Sequence, residues 1–145
     1  MAASTYMNTE GPQRTDWLDN DFPNGVNKWL GTSFYAQHVG TSAADISSHV
    51  QYDIYNYYML GSDMHENAGG AHYNHHPVAK AIDHWTTIYG YSSSGATLKF
   101  QDPAANTASG VLPSDWGSVN PYFSLSSSDT FFYMDQNGLS RGIAW

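Results

Sequence analysis

A chain of 145 residues has room for one domain and little more. Its 5 Lys and Arg against 13 Asp and Glu leave a formal charge of −8, which argues against a phosphate-tracking nucleic-acid surface and against a basic membrane anchor. Cysteine is absent, so thiolate nucleophiles, disulfides and Cys-ligated metals are excluded within these residues, whereas 41% apolar and 15% aromatic content can bury a core.

Charged residues make up only 12% of the chain, so its surface must be built of Ser, Asn, Gly, Tyr and Thr, a texture common among extracellular bacterial proteins. No apolar run approaches the roughly 18 residues of a membrane span. Met1–Thr5 lacks the charged-then-apolar pattern of a signal peptide, so secretion would place that signal outside these residues.

Residues 1–20 are polar, with a turn signal at Gly11-Pro12. Val26, Trp29 and Leu30 fall at helical spacing over 21–30, with Asp21 as N-cap, Pro23 in the first turn and Gly31 as terminator. A second helix is expected over 42–59. Thr41 or Ser42 caps it, Asp45 meets the helix dipole in its first turn, and Ala43, Ile46, Val50, Ile54 and Tyr57 form its apolar stripe.

Residues 61–77 read as a long loop carrying four histidines. From 78 the texture turns to β, and His84–Tyr91 and Ala96–Asp102 flank Ser92–Gly95 as a hairpin. Pro103 stops the second strand, 104–121 is loop-like, and aromatic segments follow at 122–125 and 130–134. Asn137-Gly138 turns the chain into a last strand, Arg141–Trp145. The sum is an α+β fold of two helices followed by an antiparallel sheet.

With a three-residue loop at 92–94, Tyr91 faces Gly95 and His84 faces Asp102 across the hairpin, on one side of the sheet. A one-residue change in the loop turns one of them away. A carboxylate beside an imidazole fixes its tautomer and favours its cation, as a general base requires. The same pair could instead close the hairpin's open end by charge and hydrogen bonding.

The stretch His84–Tyr91, the serine turn and Leu98–Pro103 resemble the hairpin of secreted bacterial papain-like cysteine peptidases, relatives of the bacteriocin-leader peptidases. Tyr6–Glu10, Thr15–Trp17, Val26–Tyr35, His76-Pro77 and Arg141–Trp145 extend the likeness over nearly the whole chain. It implies a single papain-like domain, residues 1–145, that lacks the nucleophile helix at its N-terminus. The resemblance makes His84 the general base and Asp102 the group that orients it, in a Cys–His–Asp site for peptide-bond hydrolysis. The family's cysteine and oxyanion glutamine have no counterpart here, and Ser4 and Thr5 sit too late to substitute. Hydrolysis then requires a Cys-bearing companion segment, and the chain alone is expected to be inactive. Without the nucleophile helix, an apolar sheet face should lie open and seek a partner or a second copy.

Two further readings come from the residues themselves. His65, Glu66, His72, His75 and His76 place five nitrogen or oxygen donors within twelve residues, suited to Zn, Cu or Ni, although the spacing matches no metal motif. No cofactor is expected on the main reading. Trp17, Trp85, Trp116 and the Tyr55–Tyr58 run could stack on sugars or extended peptides, with Trp85 and Trp17 the substrate contacts of choice, although aromatics are more often core. On that view the chain is a non-catalytic extracellular binding or self-assembling module.

Overall fold

A computed structural model describes residues 17–58, 60–105 and 119–145. Helix α1 (Asp21–Leu30) starts after Asn20 and stops at Gly31, whose φ of 68° lets its N–H reach the Asn27 carbonyl. Its buried residues are Pro23, Gly25 and Val26. Trp29 and Leu30, which fall at helical spacing with Val26, are exposed, because α1 lies on the sheet by its first two turns. Strand β1 (Gln37–Val39) leads to α2 (Ala43–Tyr55), where the Ser42 hydroxyl accepts the Asp45 N–H. The helix ends short of the expected 59, since Asn56 caps it and Tyr57 turns to φ 63°.

The expected loop begins as a strand, β2 (Leu60–Glu66), and β2 lies inside the sheet. Next come β3 (Ile82–Tyr91), β4 (Thr97–Gln101), β5 (Tyr122–Ser126), α3 (Ser127–Met134) and β6 (Gly142–Ala144). The aromatic segment at 130–134 is thus helical, started by Ser126, whose hydroxyl accepts the Asp129 N–H. Among the described residues the fold is α+β with three α-helices, and the strand order β1-β6-β2-β3-β4-β5 is antiparallel at every pairing.

Alternation along β2 and β3 divides the side chains between two covered faces. On one, Leu60 and Met64 of β2, Ile88 of β3, Leu98 and Phe100 of β4 and Ile143 of β6 meet Ile46 and Val50 of α2 and Tyr133 and Met134 of α3. Each such side chain contributes roughly 1.5–3 kcal/mol on burial. The sheet face expected to lie open is therefore covered by α2 and α3. On the other face, Phe22 of α1 stacks on Trp85 at 4.7 Å between ring centroids. Gly61 permits that approach, because a Cβ there would stand 2.8 Å from the Phe22 ring. Among the described residues, no helix is long and apolar enough to cross a membrane.

Candidate functional site

The hairpin register differs from the expected one. Tyr91 pairs with Leu98 rather than Gly95, which by itself would send His84 and Asp102 to opposite faces. An irregularity between Ile88 and Gly90 takes up one residue, so Thr87 pairs with Gln101. The net displacement is two residues, an even number, and both side chains return to the α2/α3 face. His84 Nε2 lies 2.7 Å from Asp102 Oδ1, as a diagonal neighbour rather than a directly opposed one.

Asp102 is fully buried and its carboxylate is saturated. Oδ1 accepts from His84 Nε2 and from the Ala104 N–H at 2.8 Å, while Oδ2 accepts from His76 Nε2 at 2.9 Å and Asn74 Nδ2 at 2.7 Å. Those four donors match the four lone-pair sites of a carboxylate. Burial alone would raise its pKa, but the bonds from His76 and His84 win and hold it well below the usual carboxylate range.

His76 continues the chain inward. Its Nδ1 lies 2.7 Å from Glu66 Oε2, and Glu66 Oε1 accepts the Tyr73 N–H at 2.7 Å. A ring that donates from both nitrogens is an imidazolium. Burial disfavours that cation, yet the hydrogen bonds to Asp102 and Glu66 outweigh it and push the His76 pKa up to about 9. The Tyr73 ring packs against the His76 ring at a tilt of 57°, with centroids 4.5 Å apart. The turn that delivers these groups is left-handed at two successive residues, Asn74 (φ 50°) and His75 (φ 60°). Asn74 uses it to join Asp102 to Asn120, whose carbonyl it bonds at 2.9 Å.

The result is a buried relay, Glu66–His76–Asp102–His84, in which His84 alone reaches the surface, its side chain 12% exposed. With Nε2–H donated to Asp102, the other ring nitrogen of His84, Nδ1, is the one a general base uses.

The five donors of the histidine loop do not converge. Glu66 and His76 belong to the relay; His72 approaches the same Glu66 oxygen, Oε2, with Nδ1 at 3.6 Å, while its Nε2 bonds the Asn67 carbonyl at 2.9 Å. His75 is exposed. His65 sits on the opposite face of β2, 2.8 Å from Asp83, where Arg141 bridges Asp83 and Asp63 at 2.6 and 2.7 Å. Trp85 and Trp17 also lie on that opposite face, 5.7 Å apart and close to Phe22, because Trp85 follows His84 in an extended strand. They are packing residues of α1 rather than neighbours of His84. Ser4, Thr5 and Trp116 fall outside the described residues.

Sequence reasoning missed Glu66, Asn74 and His76 as supports of Asp102, and a local signal for them is lacking because Asp102 stands 26 residues beyond His76. It also missed a second cluster, His38, Asp45 and His49, at the β1 end of the sheet. The chain matches no protein-family model, no curated protein and no solved structure.

Proposed function

We propose that this chain is a papain-like domain and contributes the histidine–aspartate half of a hydrolytic centre, which cleaves peptide bonds once a cysteine from outside these residues is brought to His84. The observation that carries the reading is the 2.7 Å bond from a surface-reaching imidazole to a carboxylate that is buried and saturated. His84 Nδ1 takes the thiol proton, and Asp102 holds the imidazolium in place. The thiolate attacks the carbonyl carbon, the C–N bond breaks, and the ring returns its proton to the leaving amine. Water, deprotonated by the same ring, then releases the acyl group from sulfur. Secretion by a bacterium belongs to the same reading, as does a peptide substrate.

The test is native mass spectrometry, paired with a peptidase assay, on the untagged assembly from its natural source. The expected result is a cysteine-bearing polypeptide in the assembly and activity that iodoacetamide abolishes. His84→Gln should reduce that activity by about 10²–10⁴-fold while Tm stays within a few degrees. Fold retention is expected because Asp102 keeps His76, Asn74 and the Ala104 N–H as partners. A lone 16.0 kDa species or its homo-oligomer, without thiol-sensitive activity, would overturn the reading. That outcome leaves the non-catalytic binding or self-assembling module, which the exposed run of Tyr52, Tyr55 and Tyr57 favours.

A further inference from the structure

Three donors that the His84 centre does not use meet at the far end of the sheet. His38 stands in β1, Asp45 in the first turn of α2, and His49 one turn further along the same helix. His38 Nε2 lies 2.9 Å from Asp45 Oδ2, and His49 Nε2 lies 3.5 Å from Asp45 Oδ1. One ligand atom from each residue falls within 4.8 Å of the other two. Ligands at about 2.0–2.1 Å from a tetrahedral zinc stand about 3.3 Å apart, close to the 2.9 and 3.5 Å that separate the two imidazole nitrogens from the two oxygens of Asp45.

The surroundings hold this arrangement in place. The two imidazoles lie with centroids 3.8 Å apart and planes tilted by 32°, a closeness that two cations would oppose and one shared metal would favour. Thr41 donates to Asp45 Oδ2 from its N–H at 2.9 Å and its hydroxyl at 3.0 Å, the outer support that orients a ligating carboxylate. Trp145 walls the cluster, 5.9 Å from the His38 ring and 5.5 Å from the His49 ring.

A second, independent observation adjoins the cluster. A cavity of about 340 Å³ is lined by Ser48, His49, Tyr52, Asp53 and Trp145. Asp53 lies one helical turn beyond His49, is fully buried, and neither of its carboxylate oxygens has a hydrogen-bond partner among the described residues. An unpaired buried carboxylate is costly, and a nearby divalent cation offsets that cost.

We propose that His38, Asp45 and His49 bind a divalent first-row transition metal, with zinc the ion that two imidazoles and one carboxylate suit best. Three protein ligands leave a tetrahedral ion one position for water or a small ligand. The site shares no residue with the His84 relay, so it stands or falls separately from the peptidase reading.

The test is calorimetric titration of tag-free, metal-free protein with zinc chloride. We expect one equivalent bound with a micromolar or tighter Kd, and His38→Gln and His49→Gln each weakening it at least ten-fold with an unchanged circular dichroism spectrum. His84→Gln controls for the other cluster of possible ligands, His76, His84 and Asp102, and should leave zinc affinity as it was. Histidine-ring nitrogen NMR on the unsubstituted protein identifies the site without any variant, since zinc should shift Nε2 of His38 and His49. No saturable binding below millimolar zinc overturns the proposal, and so does zinc that shifts His76 or His84 while leaving His38 and His49 unmoved.

Discussion

Raising the pH from 6.5 to 9.5 should weaken this fold through one side chain, His76. In the folded protein it donates to Glu66 and Asp102 and keeps its proton up to about 9, whereas the free ring releases it near 6.5. Its contribution is therefore fully present below pH 6.5 and is lost as pH climbs through 9. Between those values the native state holds the extra proton, so stability falls with pH at about 1.4 kcal/mol per unit. Over the whole window the loss is on the order of 3 kcal/mol, or roughly 10 °C in Tm for a domain of this size. Urea unfolding followed by tryptophan fluorescence reads the loss, and an NMR titration of the His76 ring reads its midpoint. His76→Gln keeps one donor but cannot titrate, so its stability should start lower and stay flat across the window. A His76 midpoint near 6.5, or a native protein equally stable at both ends, would refute the doubly donating imidazolium on which the relay rests.

Two substitutions examine how the site is carried. Gly61→Ala places a methyl 2.8 Å from the Phe22 ring, and the overpacking should cost about 1–3 kcal/mol in urea unfolding and alter tryptophan fluorescence through the Phe22–Trp85 stack. An alanine variant as stable as the parent would mean that α1 does not sit on β2 as described. Ser42→Ala removes the acceptor of the Asp45 N–H and should lower stability by about 1 kcal/mol. If the loss stays under a few tenths, the cap is not what starts α2.

The hairpin was legible because its cues are local: β-branched and aromatic residues on each side of a serine turn, with Pro103 as a stop. Its register was not. The turn shifts the pairing by three residues and the irregularity after Ile88 restores one, and neither has a sequence signature as plain as a proline. His84 and Asp102 meet because these two departures combine to an even number. Helix α2 was read from its cap and stripe, but its end was not, because Tyr57 adopts a left-handed conformation where glycine or asparagine is the usual sign.

The larger miss was β2, and its cause explains the site. An interior strand ordinarily reads as a hydrophobic run, yet β2 buries Ser62, Asp63, His65 and Glu66 beside Leu60 and Met64. Its charges are tolerable only because partners arrive from elsewhere: Arg141 for Asp63, Asp83 for His65 and His76 for Glu66, the first of these 78 residues away. Arg141 and Asp83 stand 78 and 18 residues from the groups they pair, and the Glu66–His76 pair, ten residues apart, is closed by a turn without a plain sequence sign, so the segment looked like a loop and its histidines like metal ligands. The chemistry runs the other way. Glu66 accepts from His76 and from the Tyr73 N–H, and His76 donates onward to Asp102, the carboxylate that bonds His84 Nε2. His38, Asp45 and His49, set by a strand edge and a helix face outside the histidine-rich loop, form a ligand-like cluster that the relay does not use. A count of histidines marks where imidazole is abundant; the pairing of each ring decides whether it carries a proton, orients a carboxylate or meets a metal.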